Sequence, residues 1–146
     1  KMGQHSALVK QVKGITFAGK ADSNNWVIMD GPENFGGSNG ATRPKELLLI
    51  GLGGCTSADV IAILEKKRVK LDDFYINISA ESTDIHPKVY TKIHLEYVFS
   101  GKDLKEKDLE RAIELSQKTY CGVTAMLQKS IEITHGYKIV DSKESK

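Results

Sequence analysis

Arginine is scarce in this chain. Only Arg43, Arg68 and Arg111 stand among 21 basic residues, which face 19 acidic ones for a net charge of +2. Balanced charge and few guanidinium groups give no basic surface for reading phosphates, so nucleic acid is not expected as a partner. The longest apolar run, Leu47 to Cys55, is too short for a bilayer span and is followed by Thr56, Ser57 and Asp59. No membrane association is therefore expected. Lys1-Met2-Gly3-Gln4-His5 has neither an apolar core nor a cleavage site of small residues, so the expected compartment is the cytoplasm.

Cysteine is also sparse. Cys55 and Cys121 stand 66 residues apart, outside any C-x-x-C pair. His5, His86, His94 and His135 are scattered without ligand spacing, so no metal is expected. G-x-S-x-G, Walker A, H-E-x-x-H and G-x-G-x-x-G are all absent. What remains is an ordinary composition: 40% hydrophobic and 27% charged residues over 146 positions, the size of one domain. A chain of this length buries roughly 70% of its unfolded surface and needs no disulfide or metal to fold. No repeat or linker is evident, so residues 1–146 are expected to form a single domain.

The pattern of elements is α+β. Leu8–Val12, Ile15–Ala18 and Trp26–Met29 read as short strands, and 31–42, with four glycines, as a loop that connects or covers a site. Pro44 suits a first helical position, with Thr42 as a cap, and a helix is predicted from Lys45 to about Lys70. Its middle is apolar nearly all round, which predicts a central, buried helix. Gly51, Gly53 and Gly54 would admit another backbone or bend the helix. Strands are predicted at Phe74–Glu81 and Val89–Phe99, the second with Ile93, Leu95 and Tyr97 or Val98 facing inward. An amphipathic helix at Lys105–Gln117, a short helix at Val123–Gln128 and a strand at Ile131–Val140 come next. Asp141–Lys146 reads as a frayed polar tail.

Both cysteines occupy settings that can activate a thiol. Gly53 and Gly54 precede Cys55 and leave room for a second molecule, and the hydroxyls of Thr56 and Ser57 could stabilise a thiolate. Cys121 stands at the head of a short helix, where N–H groups favour a negative charge. The bland alternative makes Cys55 a small packing residue. Asp59, one turn beyond Cys55, either orients a proton donor near the thiol or pairs with a cation in a dimer.

Arg43-Pro44-Lys45-Glu46-Leu47-Leu48-Leu49-Ile50-Gly51-Leu52-Gly53-Gly54-Cys55-Thr56-Ser57-Ala58-Asp59-Val60, with Tyr120-Cys121-Gly122-Val123 later, resembles the signature of the OsmC/Ohr family, the osmotically induced and organic-hydroperoxide-resistance proteins. The resemblance covers nearly the whole chain. It implies a two-layer α+β subunit with antiparallel sheets and a long central helix, in an intertwined homodimer. It also implies a cysteine-based peroxidase that takes organic hydroperoxides, is regenerated by an external dithiol, and needs no metal, haem or flavin. Cys55 matches the peroxidatic position, Cys121 the resolving one, and Glu46 the acidic site residue. The family's upstream Arg has no counterpart, because no Arg precedes Arg43. Arg43 reaches the site from an altered place, or a Lys such as Lys20 substitutes, or the site lacks that cation. The last case favours a non-catalytic redox sensor or a binder of apolar ligands.

Glu46 and Cys55 are nine residues apart. In one continuous helix that is about 180° round and about 13.5 Å along. If Glu46 serves Cys55, the helix bends at its glycines or Glu46 comes from a neighbouring subunit, and the neighbouring subunit is the expected source.

Overall fold

The computed structural model describes residues 2–141; Lys1 and most of the expected frayed tail, 142–146, lie outside the described residues. The chain divides into two compact units, residues 1–49 and 50–146.

In the first unit three strands, β1 (Leu8–Lys13), β2 (Thr16–Lys20) and β3 (Val27–Met29), form an antiparallel sheet in that order. Every residue of β1 is exposed, and so are Val27 and Ile28 of β3. Apolar strands left open in this way form a surface that calls for a cover.

The glycine-rich segment after β3 is held in shape by one carboxylate. Asp30 is buried and accepts the N–H groups of Gly31 (2.8 Å), Ser38 (3.1 Å) and Gly40 (3.0 Å), and the hydroxyl of Thr16 (3.0 Å). These donors, led by the Gly40 and Gly31 amides, hold its pKa down at about 2. Gly37 has no room for a Cβ, which would strike the Gly31 carbonyl. The loop is thus internally bonded, where composition alone suggests a loose connector.

The helix α1 (Glu46–Lys66) starts at the end of the first unit. Arg43 acts as its cap, since its carbonyl accepts from the Leu47 amide (3.3 Å) and its own N–H donates to the Glu46 carboxylate (2.8 Å). That is the reciprocal half of a capping box, with Pro44 at the first helical position. Thr42, expected as the cap, instead accepts the Asp30 amide through its carbonyl at 3.1 Å.

α1 runs through Gly51, Gly53 and Gly54 without interruption. It is not buried all round. Leu52, Thr56, Val60 and Leu64, four residues apart, form the buried stripe with Gly53, while Leu48 and Ile50 are exposed. A Cβ on Gly53 would lie 2.6 Å from Ile78 Cδ1, so this glycine does permit a close approach to a strand. At Gly51 and Gly54 a Cβ would meet nothing within 4 Å.

α1 ends four residues before the predicted Lys70. Arg68 takes a left-handed conformation (φ 59°), Arg68 N–H bonds Glu65 O at 2.9 Å, and Val69 N–H bonds Leu64 O at 2.9 Å. This is a Schellman stop closed by an apolar pair, Leu64 and Val69. At 21 residues α1 is long and apolar enough to cross a membrane by length and composition, contrary to the sequence expectation. Thr56, Ser57 and Asp59 do not interrupt it, and a longer apolar run resumes at Val60. Core helices pass the same test, and α1 carries the Asp59 carboxylate within its length.

The second unit packs α1 on a sheet of order β4 (Asp73–Ser82), β5 (Tyr90–Ser100), β6 (Glu132–Ile139). β4 and β5 are antiparallel, from Asp73 opposite Ser100 to Glu81 opposite Lys92. β5 and β6 run parallel, from Lys92 opposite Glu132 to Phe99 opposite Ile139. The expectation of antiparallel sheets therefore fails for this pair. The long connection through α2 (Glu106–Leu115) and α3 (Gly122–Leu127) lets the chain return in the same direction. On β5 the predicted inward residues Ile93, Leu95 and Tyr97 are buried, and Val98 and Phe99 are buried too. Leu109, Ala112 and Ile113 of α2 complete this core.

Candidate functional site

Between α2 and α3 the helix widens into a π-type turn, Ser116–Tyr120, closed by Cys121 N–H on Ser116 O at 2.8 Å. Such turns shift the register of the next residues along the chain and are frequent at functional sites. Here the turn delivers Cys121 as the cap of α3, with its Sγ accepting the Thr124 amide at 3.4 Å. Cys121 is buried and Cys55, on α1, is half-buried; neither is in a disulfide. The two sulfurs and a carboxylate oxygen of Asp59 all lie within 4.8 Å of one another.

The electrostatics of Cys55 differ from the expectation of an activated thiolate. Burial pushes its thiol pKa up, and the neighbouring Cys121 and Asp59 add to the rise, while the Val123 amide pulls the other way. The Thr56 hydroxyl is not turned to a thiolate. It lies 2.6 Å from Tyr97 Oη and 2.7 Å from Ser116 Oγ, in a buried polar network.

That network is absent from the sequence reading. Ser116 Oγ donates to Asp59 Oδ2 at 2.9 Å. Gln117 Nε2 donates to Thr56 Oγ1 (3.0 Å) and to Tyr97 Oη (3.1 Å), and Gln117 Oε1 accepts from Thr124 Oγ1 (3.3 Å). Burial above all, helped by the Cys121 and Asp59 charges, pushes the Tyr97 phenol up to about 12. A signal is present in the sequence: Thr56 interrupts the apolar stripe of α1, and Ser116 falls one turn beyond the buried Ala112 and Ile113. Polar residues on a buried stripe need partners.

Glu46 and Arg43, the other two predicted site residues, belong to the first unit. Besides the capping bond, the Arg43 guanidinium donates to Asn39 Oδ1 (2.6 Å) and Ala41 O (3.1 Å). Lys20 donates to Asn24 Oδ1 (2.9 Å) and sits 4.8 Å over the Trp26 ring. The structure therefore brings Cys55 and Cys121 together and adds Asp59 to them, while Glu46 and Arg43 meet at the head of α1.

Among the described residues, Cys55, Asp59 and Cys121 are also a set whose donor atoms could hold a thiophilic metal ion. Ligand spacing in the sequence could not reveal it, because Cys121 joins through the fold.

Comparison with known proteins gives a consistent picture. The profile of the family described as "OsmC-like protein" matches residues 36–136. Protein YhfA of Escherichia coli (strain K12) is 39% identical over 134 residues, covering 92% of this chain and 97% of that protein. The crystal structure of a hypothetical protein from Aquifex aeolicus VF5 superposes with a TM-score of 0.81 at 32% identity, covering 97% of this chain and 99% of the other. An organic hydroperoxide resistance protein OsmC from Legionella pneumophila, also described as a predicted redox protein and regulator of sulfide bond formation, shares the fold. Its TM-score is 0.68 at 13% identity, covering 94% of this chain and 98% of the other.

Proposed function

Because this chain belongs to the OsmC-like protein family, a family associated with hydroperoxide resistance and redox chemistry, we propose that it is a thiol peroxidase for organic hydroperoxides. The observation that carries this reading is the approach of the Cys55 and Cys121 sulfurs to within 4.8 Å. Cys55 sulfur attacks the distal peroxide oxygen. An S–O bond forms, the O–O bond breaks, and the alcohol leaves with a proton, so Cys55 becomes a sulfenic acid. Cys121 then displaces water from that sulfur to form a disulfide, and an external dithiol reduces it. No cofactor enters this cycle.

In the same proposal the two units act as one domain, and two chains pair as a homodimer in the cytoplasm. Glu46 and Arg43 then contribute to the site of the neighbouring protomer. The exposed apolar residues on β1 and α1, and the open space beside Gly51 and Gly54, support a paired state. The unbroken course of α1 supports the crossed arrangement over a bend at the glycines.

The test is consumption of cumene hydroperoxide and of hydrogen peroxide with a dithiol, for the wild type, Cys55→Ser and Cys121→Ser. Many turnovers per chain with the organic peroxide, lost in Cys55→Ser, are expected. A second reading, a non-catalytic redox sensor or apolar-ligand binder, is favoured by the raised Cys55 thiol and the lack of an Arg before Arg43. It predicts one oxidation per Cys55 and no turnover.

A further inference from the structure

We propose that Asp59 carries the proton in both steps of Cys55 and Cys121 oxidation, and that a one-way hydrogen-bond chain from Tyr97 through Thr56 and Ser116 aims its carboxylate. The inference rests on the peroxidase reading of the same site.

The direction of the chain is fixed by what each group can donate. A carboxylate only accepts, so the Ser116 O–H points at Asp59 Oδ2. Ser116 Oγ must then accept from Thr56, and Thr56 Oγ1 must accept from Tyr97. Gln117 cannot reverse this order, because its Nε2 donates to both Thr56 and Tyr97 while its Oε1 is taken by the Thr124 hydroxyl. Thr124 also gives its amide to Cys121 Sγ. The network therefore begins and ends at the site, and it fixes one carboxylate oxygen. Among the described residues no donor bonds Asp59 Oδ1, the second oxygen.

A protonated thiol needs an acceptor as it attacks, and the departing alkoxide needs a donor. Asp59 has one oxygen within 4.8 Å of both sulfurs and can serve as each in turn. The Cys55 proton passes to the carboxylate as sulfur attacks, and from there to the alkoxide as the O–O bond breaks. In the second step the Cys121 proton passes to the same carboxylate and then to the hydroxide leaving the Cys55 sulfenic acid as water. Hydrogen bonds of this kind tighten in the reacting complex. Among the described residues, the titratable groups around the carboxylate are Cys55 on its own helix, Cys121 at the head of α3 and Tyr97 on β5.

The experiment is single-turnover oxidation of reduced protein by cumene hydroperoxide from about pH 6 to 8, beside alkylation of Cys55 by iodoacetamide, in the wild type and Asp59→Asn. Alkylation also releases the thiol proton but needs none returned, because iodide leaves as an anion. In the wild type oxidation is expected to be nearly independent of pH, because the proton moves internally. In Asp59→Asn it should fall about 100-fold at pH 7, in line with loss of general acid–base help, and rise tenfold per pH unit. Alkylation, which loses only the acceptor and gains from the removed negative charge, should fall far less than oxidation. Ser116→Ala, which keeps the carboxylate but frees it, should slow oxidation about tenfold and leave alkylation unchanged. Equal oxidation rates and pH profiles in wild type and Asp59→Asn would overturn the proposal alone. So would a parallel loss of oxidation and alkylation in both variants, which marks a structural role. A wild type that peroxide does not oxidise would overturn the peroxidase reading and this inference with it.

Discussion

Cys55 on α1 and Cys121 at the head of α3 lie with their sulfurs within 4.8 Å although 66 residues separate them in the chain. Oxidation by one equivalent of a mild oxidant should therefore join them within one chain. Thiol titration should fall from two groups to none, and the mass should drop by two hydrogens. The bond would restrict a long loop in the unfolded chain and so raise stability by about 2–4 kcal/mol if unstrained, seen as a higher denaturant midpoint. Cys55→Ser and Cys121→Ser should each abolish the shift.

The reduced protein should react slowly with alkylating agents at neutral pH. Burial, Cys121 and Asp59 together hold the Cys55 thiol above its ordinary range. The fold thus favours the protonated form, and that stabilisation is present below the unfolded thiol pKa and lost as pH rises through the folded one. The rate of iodoacetamide labelling at Cys55 should keep rising beyond the pH at which a free thiol levels off. A midpoint below that of free cysteine would mean that a cation reaches the thiol in the assembled protein.

Tyr97 gives an alkaline counterpart. Its phenol is fully buried and titrates at about 12, against an ordinary 10.0. The sign is that of a group with a raised pKa: its contribution is complete below pH 10 and disappears as pH climbs towards 12. Phenolate absorbance near 295 nm should show two tyrosines titrating late, Tyr137, whose hydrogen bond to the Glu110 carboxylate holds its phenol up, and Tyr97, whose step accompanies unfolding. Tyr97→Phe should remove that step and cost about 1–3 kcal/mol at neutral pH, because Gln117 and Thr56 lose a buried partner.

The outline of this site is readable in the sequence, but its interior is not. The two cysteine motifs stand out because glycines and helix starts are local signals, and β5 announces its inward face by alternation at Ile93, Leu95 and Tyr97. The parallel pairing of β6 is hidden, because strand direction depends on where a connection of more than thirty residues returns. For Asp59 the sequence suggests a cation partner in a dimer or the orienting of a donor. Its bond to Ser116 depends on a π-type turn that propensity does not signal. Asp30 escapes notice for a related reason: its partners Thr16, Gly31, Ser38 and Gly40 are spread over 25 positions and share no period.

Glu46 carries a structural duty that separates from any chemical one. Its carboxylate accepts the Arg43 amide at 2.8 Å, a bond that glutamine can also make. Glu46→Gln should therefore leave stability nearly unchanged, while Glu46→Ala should cost about 0.5–1 kcal/mol through the lost cap. If Glu46 serves a thiol site as proposed, both substitutions slow peroxide turnover. Unchanged turnover in Glu46→Gln would confine the residue to the head of α1.

Gly54 tests the paired state. In the single chain a Cβ at Gly54 meets nothing within 4 Å, so Gly54→Ala should stabilise the protomer by about 1 kcal/mol through helix propensity alone. The same face of α1 presents Ile50, one turn before Gly54, to water. If a second chain packs its helix there, the added methyl occupies space that the partner backbone needs. Association should then weaken by about tenfold for Gly54→Ala, roughly 1.4 kcal/mol, and further for Gly54→Leu, as read by sedimentation equilibrium. A dimer whose dissociation constant ignores both substitutions would place its interface elsewhere. The route by which Glu46 and Arg43 reach a neighbouring site would then have to run through the open β1–β3 sheet rather than across the helices.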